Sequence, residues 1–470
     1  MRALLVQPDY PRTAADGAAL EDRLLPARSL IELAALLDQR GHETIVLDPL
    51  TALASGPGDR VDMPQALART LERERPDAVG LCVYTPLRKE ARELARVVKR
   101  HAPDLPVIIG GPHPARIAPS LLENWPEIDY VCLGAAELSL PPLLERLESG
   151  RPALEQIPHL AFRSGAFTVS ETGKSAFIVD LSRLPPVRYD RYLERLAGKQ
   201  IKRAYLLTSR GCAHWCNFCS NLWKKVLPAE PAAVARELAH LVRDCGAEEV
   251  ILYDDCFGKK PEHAKSVLEE IAAQKLEVRL QAVTTFDAIK RDWLSLFQKA
   301  GGRDLLIGLE SGSYRLRRKM NKHTREDEIF TGALAARARG MRLGVYIMLG
   351  FPSEEPNDVV QTYRLLEKLD PDQVMATIYD LKPGDMLFEF AVTSRLKTPE
   401  SWLDEDTRLI NDMNEQDLEH YAALALAFER SFHQQTLLPE HDSADFILGL
   451  DPAELGPLIE EKTQRLKNHA

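Results

Sequence analysis

No run of this sequence is both long enough and apolar enough to cross a membrane; the hydrophobic stretches are strand-sized and broken by charge. The start, Met1-Arg-Ala-Leu-Leu-Val-Gln-Pro-Asp, lacks the extended apolar region and small-residue cleavage site of a secretory leader and reads as a first strand. A cytoplasmic protein is therefore the expectation. Positive charge is in deficit too. Sixty Lys and Arg against 70 Asp and Glu give a formal net charge of −10. That argues against a non-specific nucleic-acid binder and disfavours nucleic acid as a substrate. Low-complexity tracts and repeats of short period are absent. Cysteine is scarce, seven in 470 residues, which in a reducing compartment excludes a disulfide framework. Cys82, Cys132, Cys245 and Cys256 are scattered and read as core packing. The other three are clustered.

What is present describes a globular protein with ample core, 45% hydrophobic and 28% charged. Its length exceeds one ordinary domain. Residues 1–150 alternate apolar runs (Ala3–Val6, Thr44–Leu47, Ala78–Val83, Val107–Ile109, Tyr130–Leu133) with amphipathic stretches such as Ser29–Arg40, which stops at Gly41. This pattern predicts an α/β, doubly wound parallel sheet of Rossmann-like type. Such sheets bind ligands at the carboxyl ends of their strands, here Pro8-Asp9-Tyr10, Tyr84-Thr85-Pro86, Gly110-Gly111-Pro112-His113 and Gly134-Ala135-Ala136-Glu137. Residues 151–200 read as a linker with a small hairpin around Gly165, followed by Pro185-Pro186.

Residues 201–390 begin a second alternating series. Strands are expected at Ala204–Thr208, Glu249–Tyr253, Arg279–Thr284, Leu305–Leu309, Leu343–Leu349 and Gln373–Ile378. Helices fit at Ala232–Arg243, His263–Ala273, Asp292–Ala300, Glu326–Arg339 and Asn357–Leu369. Six such units predict a partial (βα)6 barrel with its site at the carboxyl ends of the strands. Residues 391–470 read as a small helical C-terminal extension, with helices over Asn414–His433 and Leu448–Lys467.

The clustered cysteines follow the first strand of the second series, in Thr208-Ser-Arg-Gly-Cys212-Ala-His-Trp-Cys216-Asn-Phe-Cys219-Ser. Independent placement of the cysteines would produce this C-x3-C-x2-C spacing roughly once or twice in a thousand such chains. Three thiolates on one loop can hold three irons of a 4Fe–4S cubane and leave the fourth open. An open position is what a catalytic metal site keeps. Other readings stand beside this one at the level of spacing: a structural zinc with His214 as fourth ligand, a plain electron-transfer cluster, or cysteines with no metal.

The loop, with aromatic Phe218 before its third cysteine, resembles the signature of the radical S-adenosylmethionine superfamily. The resemblance covers roughly residues 200–390 and extends to Tyr253-Asp254-Asp255-Cys256-Phe257, Gly308-Leu309-Glu310-Ser311-Gly312-Ser313, Met320-Asn321-Lys322 and Met348-Leu349-Gly350-Phe351-Pro352. It implies a 4Fe–4S cluster on Cys212, Cys216 and Cys219, with S-adenosylmethionine on the fourth iron. Reductive cleavage then yields a 5′-deoxyadenosyl radical. Phe218, Asp254, Glu310, Ser311 and Gly350 are the implied cofactor-binding positions, Glu310 near the ribose. An external electron donor of flavodoxin or ferredoxin type is implied as well.

Residues 1–200 resemble the N-terminal cobalamin-binding domain of one branch of that superfamily, through Ser29–Leu37, Gly41-His-Glu, Val79-Gly-Leu-Cys-Val-Tyr-Thr-Pro and Ile108-Ile-Gly-Gly-Pro-His-Pro. Tyr84, Thr85, Gly111, His113 and Glu137 become candidate cobalamin contacts. Two departures are visible. No Asp-x-His-x-x-Gly motif supplies a cobalt-ligating histidine, so His113 reads as a hydrogen-bonding residue. Gly134-Ala135-Ala136-Glu137 replaces the Gly-Glu-Gly-Glu common in the family. The resemblance implies a cobalamin-dependent methyltransferase acting on a carbon of a small-molecule or lipid-like metabolite. An oxidative cyclase or a carbon-skeleton rearrangement enzyme, and a non-catalytic iron–sulfur carrier or sensor, are the alternatives.

Overall fold

The structure, a computed structural model, describes residues 1–9, 12–13, 24–56, 60–165, 168–173, 179, 181–198, 200–221, 223–289, 291–394, 398–404 and 415–432. The first sheet contains β1 (Arg2–Val6), β2 (Glu43–Leu47), β3 (Ala78–Cys82), β4 (Val107–Gly110) and β5 (Tyr130–Cys132), hydrogen-bonded in the order β2–β1–β3–β4–β5 and all parallel. Strands such as Ala3-Leu4-Leu5-Val6 are apolar at every position because helices cover both faces of a parallel sheet. Helices α1 (Arg28–Gln39), α2 (Met63–Glu74), α3 (Arg88–His101), α4 (Pro114–Asn124) and α5 (Ala136–Ser149) alternate with them. Gly41 takes the left-handed conformation just beyond α1, as its place in the sequence suggests.

The hairpin around Gly165 forms, but it does not stand apart as a linker. Its strands, β6 (Leu160–Gly165) and β7 (Thr168–Glu171), add antiparallel to β5 and extend the first sheet to seven strands. The sheet order reverses between β1 and β3, which makes the crevice beyond Val6 and Cys82 the topological switch point.

The second sheet runs β8 (Arg203–Leu206), β9 (Glu249–Leu252), β10 (Arg279–Thr284), β11 (Gly302–Glu310), β12 (Arg342–Leu349) and β13 (Gln373–Ile378) in sequential order, every neighbour parallel. It stays open between β8 and β13, so it is a partial barrel. Helices α6 (Pro231–Arg243), α7 (Pro261–Ala273), α8 (Arg291–Lys299), α9 (Glu326–Arg337) and α10 (Pro356–Leu369) provide the crossovers. At the amino ends of the strands an ion network ties neighbouring strands together: Arg203 with Glu249 at 2.8 Å, Arg279 with Asp304 at 2.7 Å, Arg342 with Asp304 at 2.8 Å. The carboxyl ends are left for the site.

Beyond the barrel lie α11 (Met386–Thr393) and α12 (Glu415–Ser431). The second packs along the free edge strand β13, where the Ala376 N–H donates to Glu429 at 2.9 Å. The expected helix over Leu448–Lys467 lies outside the described residues. Among the described residues no helix is long and apolar enough to cross a membrane.

Candidate functional site

The cysteine loop hangs from the carboxyl ends of β8 and β9. Strand β8 stops at Leu206, two residues short of the expected end, because Thr208 and Ser209 turn toward Asp254. The Thr208 N–H, Thr208 hydroxyl and Ser209 hydroxyl donate to the Asp254 carboxylate at 2.7, 2.6 and 2.6 Å. Asp254 is buried, and burial pushes its pKa above the ordinary carboxylate value despite these donors. Its neighbour Asp255 accepts the Gly211 N–H at 2.7 Å. Gly211 has φ +89°, and a side chain there would run into the backbone of Trp223 and Lys225, so the turn needs glycine. Further along, the Cys212 N–H donates to Trp223 O at 2.9 Å and the Asn217 N–H to Met320 O at 3.0 Å. The Asn321 amide donates to Trp215 O at 2.6 Å.

Cys212, Cys216 and Cys219 are free thiols, each half-buried on this braced loop. A hydrogen bond from Cys256 lowers Cys212 to about 7, whereas burial pushes Cys216 up to about 11 and raises Cys219. Cys256 is buried, as expected of a packing residue, but it lies beside Cys212 and contacts the Thr285 hydroxyl at 3.5 Å. His214 turns its Nε2 toward Asp287, 3.6 Å away. Among the described residues no three His, Cys, Asp or Glu side chains converge to hold a single metal ion. A cubane does not require that, because it spreads its three thiolates over three irons. Three half-buried thiols on one loop suit such a cluster.

Glu310 ends β11 in the left-handed region at φ +70°, after a register shift between Gly308 and Glu310. The irregularity re-aims its side chain, whose Oε1 accepts from Lys322 Nζ at 2.7 Å. Burial works against the Lys322 ammonium, but Glu310 outweighs it and holds the pKa above the ordinary lysine value. Ser311 is fully buried; its hydroxyl meets Thr362 Oγ1 at 3.2 Å and accepts the Ser313 N–H at 3.1 Å. That side chain fastens the loop to α10. The Gly350 N–H donates to Glu354 at 2.6 Å. Phe218 packs half-buried on the main core.

On the first sheet, Tyr84 and Thr85 follow β3 and His113 follows β4. Thr85 and His113 are buried, with His113 Nδ1 3.2 Å from the Thr85 hydroxyl. Burial pushes the His113 pKa down to about 3, so the ring is neutral. Its Nε2 is buried with no hydrogen-bond partner among the described residues. Gly111, at φ +113°, lies so close to Val83 that a Cβ would sit 2.6 Å from its carbonyl oxygen. An unpartnered buried ring nitrogen two residues from a glycine cradle at the strand ends fits a polar ligand. Glu137 is different. It accepts from Arg210 of the cysteine loop at 2.6 Å, while the same guanidinium reaches Glu32 on α1 at 2.5 Å. Arg28 on α1 is bidentate to Glu237 on α6, both bonds at 2.9 Å. The expected corrin contact is therefore part of a strut between the sheets, and no spacing in the sequence pointed to Arg210, Glu32 or the Arg28–Glu237 pair.

Comparison with known proteins agrees with this geometry. Residues 206–366 match the radical SAM superfamily and residues 24–144 match the B12 binding domain. An uncharacterized methyltransferase of Pyrococcus horikoshii is 26% identical over 341 residues, 72% of this chain and 74% of that protein. The anaerobic magnesium-protoporphyrin IX monomethyl ester cyclase of Rubrivivax gelatinosus is 25% identical over 403 residues, 83% of this chain and 70% of that protein. The fold is shared with the radical S-adenosylmethionine methyltransferase TsrM of Kitasatospora setae, at a TM-score of 0.70 and 20% identity over 96% of this chain and 89% of that one.

Proposed function

We propose that this chain, in which a B12-binding domain precedes a radical SAM domain, is a cobalamin-dependent radical enzyme that methylates an unactivated carbon of a small-molecule metabolite. The observation that carries the reading is the Arg210 strut. It binds Glu32 and Glu137 and so holds the cysteine loop against the strand ends of the first sheet. When bound, the 4Fe–4S cluster with S-adenosylmethionine supplies a 5′-deoxyadenosyl radical and cobalamin supplies methyl-transfer chemistry.

The chain's own residues then have separable tasks. Cys212, Cys216 and Cys219 hold the cluster, and Asp254 and Asp255 fix the loop that carries them. Glu310, with Lys322 on one oxygen, keeps the other free to accept a ribose hydroxyl. Tyr84, Thr85, Gly111 and His113 line the corrin side, where His113 stays neutral and acts as a hydrogen-bonding group. An external flavodoxin- or ferredoxin-type protein supplies the electron. Residues 1–150 and 201–390 are the two working domains in this reading, and 391–470 a C-terminal extension whose described helix α12 packs on the barrel edge.

A cyclase relative matching over 83% of the chain favours a second reading, radical oxidation or ring closure without methyl transfer. The readings separate on products. Anaerobically reconstituted protein, loaded with cobalamin and given S-adenosylmethionine and reductant, should form S-adenosylhomocysteine alongside 5′-deoxyadenosine. Deoxyadenosine without S-adenosylhomocysteine supports the cyclase reading. Failure to take up cobalamin, followed by its absorbance, removes the methyltransferase reading.

A further inference from the structure

We infer that the surface around the tip of the cysteine loop docks an acidic one-electron carrier protein, which delivers its electron there. The inference rests on the proposed function and names the partner of that same site. Exposed apolar side chains and free cations meet at this loop.

The apolar part is unusual for this chain. Trp125, Trp293 and Trp402 are fully buried, but Trp215, one residue before Cys216, is 60% exposed. Met386 and Phe390 on α11 are 58% and 60% exposed. As an i, i+4 pair they share one side of that helix. The backbone draws these residues together. The Met386 N–H donates to Asn217 O at 3.0 Å, which sets the start of α11 against the loop tip. On the other flank the Asn217 amide donates to Lys319 O at 2.7 Å and the Asn321 amide to Trp215 O at 2.6 Å. Residues 215–217 are thus clamped between α11 and the end of the short helix Tyr314–Lys319. Grouped apolar side chains rimmed by polar ones mark a protein-contact surface, and aromatic rings and methionine are the types such surfaces enrich.

The charge says which kind of protein. Residues 209–229 hold three Lys and Arg and residues 314–325 hold six, with no Asp or Glu in either segment, in a chain of net charge −10. Arg210, Arg315, Lys322 and Arg325 hold carboxylates, and buried Arg317 holds backbone carbonyls. Lys224, Lys225, Arg318 and Lys319 have no ion pair among the described residues. Lys225, Arg318 and Lys319 are exposed, and Lys224 Nζ lies 5.7 Å from the Trp215 ring centroid. The exposed carboxylate on α11 is Glu389. Four free cations against one acid favour an acidic partner and steer its approach. The position gives that partner its task, since this surface overlies the residues that hold the cluster. Electron-transfer encounters use small interfaces, below about 1,200 Å² in total, which a few rings rimmed by cations suit. In the step the reduced flavin or iron–sulfur carrier loses one electron and the cluster gains it, with no bond formed or broken.

Rapid mixing of the reconstituted full chain with flavodoxin hydroquinone tests this, read by the electron paramagnetic resonance signal of the reduced cluster. Photoreduced 5-deazaflavin, a small reductant that needs no docking, is the control. Arg318→Glu combined with Lys319→Glu should slow reduction by flavodoxin about tenfold at low salt and leave reduction by deazaflavin unchanged. The wild-type rate with flavodoxin should fall as ionic strength rises, and the double variant should lose most of that slope. Phe390→Ser, on a separate element, should also slow flavodoxin alone, and it serves should the double variant fail to fold by circular dichroism. Unchanged flavodoxin rates in both variants, a wild-type rate insensitive to salt, bulk transfer RNA bound at these residues more tightly than flavodoxin, or a dimer that Phe390→Ser dissociates would each overturn the inference. Deazaflavin keeps that failure apart from failure of the proposed function. 5′-Deoxyadenosine still formed with it upholds the radical chemistry, whereas a fully loaded wild-type cluster that neither reductant reduces overturns both.

Discussion

Asp254 and Asp255 are sequence neighbours with different loads. Asp254 gathers three donors from Thr208 and Ser209, and Asp255 takes the Gly211 N–H, so together they pin three of the four residues ahead of Cys212. Asp254→Asn replaces one acceptor oxygen by an amide that faces donors. It should cost about 2–3 kcal/mol, the scale of a buried charge-assisted hydrogen bond, measured as a lower urea midpoint, and should weaken iron retention on the loop. Unchanged stability with full iron content would show that the bolt is not needed. Residue-level legibility was uneven for a physical reason. Cys212, Cys216 and Cys219 could be read because ligand spacing along a loop is itself the geometry of the site. Asp254, Ser311 and Glu137 were correctly placed at strand ends, yet their side chains bind Thr208, Thr362 and Arg210, partners that only packing brings within reach. Cys256 is buried as expected, and its contact with Cys212 is likewise made only by packing.

Between elements, the cysteine loop is the hinge-pin of the molecule. One guanidinium, Arg210, joins it to α1 and to the start of α5. Arg210→Ala leaves Glu32 and Glu137, both nearly buried, without this cation and should cost about 3–5 kcal/mol, the usual penalty for breaking a buried pair from one side. Arg210→Lys should recover only part of it, because an ammonium cannot span two carboxylates as a fork does. Thermal unfolding of the three proteins orders them, and equal midpoints would refute the strut. A second element-scale link is Glu354, which accepts the Gly350 N–H after β12 and also bonds Tyr421 on α12. Burial lifts its pKa from 4.5 to about 7. Between those values the folded protein holds a proton that the unfolded chain has lost, so stability falls as pH rises through this window. Glu354→Gln should flatten that slope in denaturation series from pH 5 to about 7.5; an unaltered slope would place its origin elsewhere.

Across the whole molecule, two alternating series announced two parallel sheets because hydrophobic runs of strand length separated by amphipathic helices have few other solutions. All six barrel strands were anticipated, Arg279–Thr284 and Gln373–Ile378 to the residue. Less legible was how the sheets meet. The hairpin β6–β7 carries no long apolar run, so its membership of the first sheet depends on pairing with β5 that periodicity cannot reveal. What unites these features is a cysteine loop set at the carboxyl ends of the barrel strands and facing the first sheet.

Anaerobic reconstitution with iron and sulfide, followed by S-adenosylmethionine and a strong one-electron reductant, tests that arrangement through one product. The wild-type chain should release 5′-deoxyadenosine, and Cys216→Ala, folded by circular dichroism but unable to complete the cluster, should release none. Deoxyadenosine at wild-type level from Cys216→Ala, or none from wild-type protein carrying its full iron and sulfide, would contradict the assignment of the loop.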